Sequence, residues 1–234
     1  MQAPPPRAPL LAWLGGGGFV ASLAYFAWTY YVRFGHVQPD GPLLAPILVD
    51  LALFGGFALH HSALARSGAK QWLTRHVPPH LERSLYVWVA SILFIGVCAG
   101  WRDVPGEAYR HDGTLAVPHW IAVALGVWLT ARSAQVIDPL DLAGIRQAEG
   151  ASAPPRFRVI GPYRWVRHPI YLGWLLLVFG VPHMTATRLA FAVISSAYLV
   201  IAIPFEERSL VETFRDEYRR YQQAVRWRLI PGVW

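Results

Sequence analysis

The chain has 234 residues, 54% of them hydrophobic and 15% charged, with 11 Trp, 10 Tyr and 11 Phe, a balance too apolar and aromatic for an ordinary soluble domain. Its net charge of +7 comes from basic residues between apolar runs, where a positive-inside bias places them, and no basic face or base-stacking module points to nucleic acid. The single Cys98 stands inside an apolar run, which excludes a disulfide framework and a thiolate metal site.

A helix needs about 20 apolar residues to cross roughly 30 Å of hydrocarbon. The first such run goes from Leu10 to Val32, too long for a signal-peptide core and without a cleavage site, and is expected to stay in the chain. Gly15 to Gly18 suit close helix contact, and Trp28, Tyr30 and Tyr31 suit an interfacial belt. Further runs cover Pro42 to Leu64, Ser84 to Trp101 and Thr114 to Ala131. A polar stretch follows from Arg132 to His168, too long for an idle connection. Ile170 to Val181 is short, roughly 18 Å of helix, and with the turn "PHMTAT" and the run Leu189 to Phe205 it predicts a helical hairpin. The fold class is therefore all-α: a polytopic membrane protein of about six transmembrane helices. Residues 1–131 form its four-span part, and residues 132–234 carry a loop, the hairpin and an amphipathic C-terminal helix.

The segments on either side of the third and fourth runs set an orientation. Arg66, Lys70, Arg75 and Arg83 face only Glu82 in one loop, and Arg132, Arg146, Arg156, Arg158, Arg164 and Arg167 outnumber Asp138, Asp141 and Glu149 in another. Both are expected in the cytosol, and the more acidic loop from Arg102 to Gly113 on the opposite side. About six crossings then leave both termini cytosolic, in a bacterial inner membrane. Nothing in the spacing specifies an oligomeric state.

Chemistry concentrates in the C-terminal third. Pro169 fits the first helical position, which puts Arg167 and His168 at a helix N-terminus, where free N–H groups and the helix dipole attract anions. Tyr171 shares that surface, three and four residues on. Glu206 and Glu207 close the last run, where a cation should balance them, either Arg208 or Arg164 or a charged ligand. An anion corner and an acidic pair suit a zwitterionic ligand. The segment after them spaces Phe214, Tyr218, Tyr221 and Val225 as the apolar face of a helix lying on the membrane. In the second run, Asp50 is costly in lipid and needs a partner, a tie to a neighbouring helix or a proton path, and His61 lies on its face. His76 and His80 are separated by two prolines, so they do not form a helical metal pair, and no metal is expected.

The residues Gly161, Pro162, Tyr163, Arg164, Val166, Arg167, His168, Pro169, Tyr171 and Gly173, followed by Glu206, Glu207, Leu210, Phe214, Tyr218 and Tyr221, resemble the hallmark of one family. It is that of the integral-membrane methyltransferases acting on isoprenylcysteine carboxylates and phospholipids. The segments "FALHHSALAR", "VPPHLERSLYV", "DLAGIRQ" and "AIPFEERSLV" are similar to its small-thiol branch, the methanethiol S-methyltransferases, with an N-terminal pattern shared with NnrU-like proteins. The resemblance implies S-adenosyl-L-methionine as cofactor, held by Tyr163, Arg164, Arg167, His168, Pro169, Tyr171 and Gly173, by Glu206 and Glu207, and by Gln147 of the "DLAGIRQ" segment. It implies methylation of methanethiol or a similarly small thiol to a thioether such as dimethyl sulfide. His61, His168 and Asp50 are the candidates for catalytic proton handling. Arg167→Ala and Glu207→Ala are expected to weaken cofactor binding and leave the fold intact. Other readings are methylation of an isoprenylcysteine or phospholipid, a sterol-type membrane reductase using NADPH, and a small transporter. The acidic pair disfavours the reductase, because it would repel a polyphosphate.

Overall fold

The computed structural model describes residues 7–64, 74–150 and 157–234, so Arg66, Lys70 and Arg156 lie outside the described residues. Its main helices are α1 (Arg7–Tyr31), α2 (Leu44–Leu64), α3 (Glu82–Gly100), α4 (Val117–Ile137), α5 (Pro169–Phe179), α6 (Ala186–Phe214) and α7 (Asp216–Ala224). Among the described residues five helices, α1 to α4 and α6, are long and apolar enough to cross a membrane. The sixth expected crossing is α5, whose 11 residues rise only about 16 Å. The chain is an all-α integral membrane protein. Trp120, Ile121, Leu125 and Trp128 of α4 are all about half exposed, which suits lipid as the surrounding solvent.

The chain divides into two compact units, one of Met1–His36, Pro42–Asp103 and Asp138–Pro154, the other of Val37–Gly41, Val104–Ile137 and Pro155–Trp234. The division follows packing rather than chain order. The fourth long helix groups with the C-terminal third, while the first part of the polar loop groups with α1 to α3.

In the first unit α1 packs along α3. A Cβ on Gly15 would meet the Trp88 ring at 3.0 Å, and the indole N–H of Trp88 donates to the Leu11 carbonyl at 3.0 Å, so part of the glycine run does serve close approach. Phe26 packs against Phe94 with the rings tilted, centroids 5.6 Å apart. The expected interfacial belt is only partly formed: Trp28 is 52% exposed, but Tyr30 is fully buried, against Phe34 and Tyr31. Arg33 reaches the end of α3, donating to the Cys98 carbonyl at 2.9 Å and the Trp101 carbonyl at 2.8 Å, where terminal carbonyls lack helical partners. Two single-turn helices, Pro139–Leu142 and Ile145–Ala148, bury Ala143, Ile145 and Ala148 against Ala12. The Asp138 carboxylate caps the first, accepting from the Leu140 N–H at 3.0 Å.

In the second unit α4 and α5 lie close together. A Cβ on Gly126 would come within 2.8 Å of the Gly173 carbonyl, and one on Gly173 would collide with the Thr130 hydroxyl. Beyond α5, the expected turn and the acidic loop instead form strands. β1 (Glu107–Arg110) pairs antiparallel with β2 (His183–Thr185), matching Glu107 to Thr185 and Arg110 to His183. The Thr185 hydroxyl then caps α6 by accepting from the Arg188 N–H at 3.1 Å. Helix α6 does not stop at the acidic pair but continues through Pro204 to Phe214. The chain then turns at Arg215, whose φ of 49° and ψ of −122° suit glycine better than a residue with a Cβ. Helix α7 does not lie with its apolar face on the membrane. Tyr218, Tyr221 and Val225 are buried against Phe157, Val159, Leu210, Val211 and Phe214.

Candidate active site

The motif residues of the second unit converge on one carboxylate. Glu207 is buried on α6, and four side chains reach it. Arg167 Nε donates at 2.6 Å, Arg228 Nε stands at 3.3 Å, Gln222 Nε2 donates at 3.3 Å, and His168 Nε2 lies at 3.3 Å. Arg167 spends the rest of its guanidinium on the Val225 and Arg226 carbonyls, at 2.8 Å and 3.0 Å. The acidic pair and the anion corner therefore neutralise each other. Arg167 is a buried hub rather than an open fork, and among the described residues neither Arg208 nor Arg164 pairs with Glu207; Arg164 Nε reaches the Val159 carbonyl, at 3.4 Å.

The C-terminal strand of chain makes this possible. The N–H groups of Arg167 and His168 donate to the Trp227 and Arg228 carbonyls, both at 2.9 Å. Two backbone donors in front of α5 are thus consumed by the tail, which brings Arg228 to Glu207. The Tyr221 hydroxyl donates to the Tyr163 carbonyl at 2.7 Å and holds the turn Gly161–Arg164 in place. Burial, then the Glu206 carboxylate, push the Tyr163 hydroxyl well above its usual range; burial and neighbouring charge do the same to Tyr218 and Tyr221. These phenols stay neutral.

Glu206 has a different setting. It is exposed and accepts from the Tyr171 hydroxyl at 2.7 Å, while His168 Nδ1 stands 3.7 Å away and the His168 ring stacks on Tyr171 at 5.4 Å. It is the open acid of the cluster. Arg167, Arg226, Trp227, Arg228 and Trp234 line a polar cavity of about 300 Å³. A larger, apolar cavity of about 620 Å³ runs along α4 and α5, lined by Pro118, Ala122, Leu172, Leu175, Leu176 and Phe179 among others.

Among known proteins, the chain is 38% identical over 192 residues to the methanethiol S-methyltransferase of Mycobacterium tuberculosis, covering 79% of this chain and 78% of that one. It is 37% identical over 231 residues to methanethiol S-methyltransferase 1 of Bradyrhizobium diazoefficiens, covering 92% and 80%. The chain belongs to the methanethiol S-methyltransferase family. A more distant likeness, 27% identity over 185 residues covering 73% and 70%, is to Nurim of Bos taurus. No family model matches the chain, and no solved structure matches it.

As a methanethiol S-methyltransferase relative, the chain brings together Arg167, His168, Tyr171, Glu206 and Glu207, with Tyr163 held at their edge. Pro169 starts α5 as expected, and Gly173 lies in the helix contact with Thr130 and Gly126, which gives it a packing role. Gln147 stands half-buried on a single-turn helix of the first unit. That unit also holds His61 and Asp50. The Tyr86 hydroxyl lies 2.6 Å from His61 Nδ1, and the ring stacks on Phe57 at 5.6 Å. Asp50, fully buried, accepts from the Arg102 N–H at 2.8 Å, tying α2 to the chain leaving α3. Eleven residues, or about 16 Å of rise, separate the two, so they share a face without sharing a proton. The spacing-based reading missed Arg228, Gln222, Arg226, Trp227 and Trp234. Arg226, Trp227, Arg228 and Trp234 stand in the basic-aromatic end "RWRLIPGVW", and Gln222 in the helix before it.

Proposed function

We propose that this membrane protein is a thiol S-methyltransferase that uses S-adenosyl-L-methionine to convert methanethiol, or a thiol of similar size, to its methyl thioether. The observation that carries the reading is the exposed Glu206 carboxylate, held by Tyr171 beside the buried Glu207 hub, in a chain of this family. An acid with one fixed donor and open solvent on its other side suits an ammonium or ribose hydroxyls. The arginine-lined cavity nearby suits the ligand's opposite charge. When bound, S-adenosylmethionine supplies a methyl group already activated by its sulfonium, so the protein's contribution is positioning and exclusion of water.

His168 has a carboxylate facing each ring nitrogen and acts as a positioning residue for Glu206 and Glu207. An alkyl thiol is mostly protonated near neutrality, so a base assists. We assign that part to the imidazole of His61, whose ring the Tyr86 hydroxyl orients. His61→Ala should lower kcat/KM at pH 7 and recover toward wild type as the pH approaches the thiol's own pKa. A deficit that stays constant with pH removes His61 as the base. The basic loops suit an orientation with both termini in the cytosol of a bacterial inner membrane, from which the charged cofactor would enter.

Purified protein given S-adenosylmethionine and methanethiol should release dimethyl sulfide into the headspace. Methylation of a farnesylcysteine analogue or phosphatidylethanolamine with no dimethyl sulfide would keep the methyltransferase and overturn the thiol. Binding of NADPH instead of S-adenosylhomocysteine would overturn both.

A further inference from the structure

Three guanidinium groups, Arg167, Arg226 and Arg228, line the polar cavity with the indoles of Trp227 and Trp234. Two of them are already committed. Arg167 is divided between Glu207 and two carbonyls, and Arg228 bonds Glu207 while lying over the Trp234 ring at 5.3 Å. Arg226 differs. Its guanidinium lies over Trp227 at 5.8 Å and has no carboxylate or carbonyl partner among the described residues. Its backbone is nonetheless fixed, since its carbonyl accepts from Arg167 at 3.0 Å. The side chain therefore projects a free positive charge from an anchored base.

The pairing leaves one cation of the cavity over. Of the three arginines that line it, Arg167 and Arg228 bond the buried carboxylate of Glu207 and Arg226 does not. A planar guanidinium suits a carboxylate bidentately, and indole walls exclude water from such a pair. The sequence placed an anion corner at Arg167 and His168, and the structure commits Arg167 to Glu207 and two carbonyls.

Resting on the methyltransferase reading, we propose that Arg226 binds the α-carboxylate of the cofactor's amino-acid half, with Arg228 contributing charge and Trp227 supporting the guanidinium plane. Glu206, across the cluster, then serves the ammonium of the same zwitterion. Recognition of the two ends is divided between the C-terminal tail and α6, and the Arg167 and His168 N–H groups in front of α5 are taken by the tail's own carbonyls.

The test is calorimetric titration of the detergent-purified full chain with S-adenosylhomocysteine and with 5′-methylthioadenosine, which has the nucleoside but no carboxylate. Arg226→Ala should weaken S-adenosylhomocysteine at least about tenfold, the range of a lost charge-assisted bond, and leave 5′-methylthioadenosine unchanged. Arg226→Lys, which keeps the charge but loses the fork, should fall between. Unchanged S-adenosylhomocysteine affinity in Arg226→Ala overturns the assignment, and so does an equal loss for both ligands. If the variant loses only binding to phosphatidylglycerol vesicles, the cavity is a lipid headgroup site instead. A wild-type protein that binds neither nucleoside overturns the cofactor reading itself, an outcome visible before any variant is made.

Discussion

Glu207 is buried and has four side-chain partners, so its removal leaves the buried Arg167 without its carboxylate; Arg228 is partly exposed. Breaking a buried pair by deleting one partner costs about 3–5 kcal/mol. Glu207→Gln should therefore lower the thermal midpoint in detergent markedly, and Arg167→Ala likewise; the expectation that these variants lose cofactor without losing fold does not fit a hub this deep. Glu206→Gln is the separating control. Its carboxylate is exposed, so the midpoint should stay near wild type while affinity for S-adenosylhomocysteine falls, as calorimetry would show. If both glutamates behave alike, the distinction between hub and open acid is wrong. The motif residues of this site were legible because Arg167, His168, Tyr171, Glu206 and Glu207 sit at fixed spacings beside helix boundaries. The pairing of Arg228 and Gln222 with Glu207 was not legible: Arg228 arrives through backbone hydrogen bonds between residues some sixty positions apart, and Gln222 through the docking of α7 by the Tyr221–Tyr163 hydrogen bond, and neither leaves a periodicity.

At the scale of elements, the long apolar runs announced their helices, because length and composition alone decide what can cross a bilayer. The strand pair escaped notice because three or four residues are too few for alternation to show. The amphipathic pattern of α7 was real, but a pattern names a buried face without naming what buries it, and here Phe157 and Phe214 do so. The glycine contact between α4 and α5 is the element on which the cluster's position depends. Gly173→Ala forces a Cβ against the Thr130 hydroxyl and the Gly126 carbonyl. Overpacking of this kind costs about 1–3 kcal/mol. It should reduce the thermal midpoint and cofactor affinity together, whereas Gly17→Ala, with open space around the added methyl, should change neither.

For the whole molecule, orientation is the property that loops rather than packing decide. A phosphatase fused within the Arg102–Gly113 segment should be active outside the cytosol, and a fluorescent protein fused after Trp234 should fluoresce inside it; the opposite result inverts the arrangement. The shortness of α5 has a further effect. From the contacts of Gly173 with Thr130 and of Gly180 with Ala122, α4 overshoots the start of α5 by roughly 6 Å of helix rise. His168 and its neighbours are recessed by that distance from the level at which α4 ends. An acceptor that reaches them by way of the acyl chains has first dissolved in oil, and its working concentration is set by partitioning rather than by the aqueous dose. Each added methylene favours transfer by about 0.8 kcal/mol, so KM on the aqueous scale should fall about fourfold per carbon from methanethiol to propanethiol, even where kcat declines with bulk. A KM indifferent to chain length would mean that the thiol arrives through water.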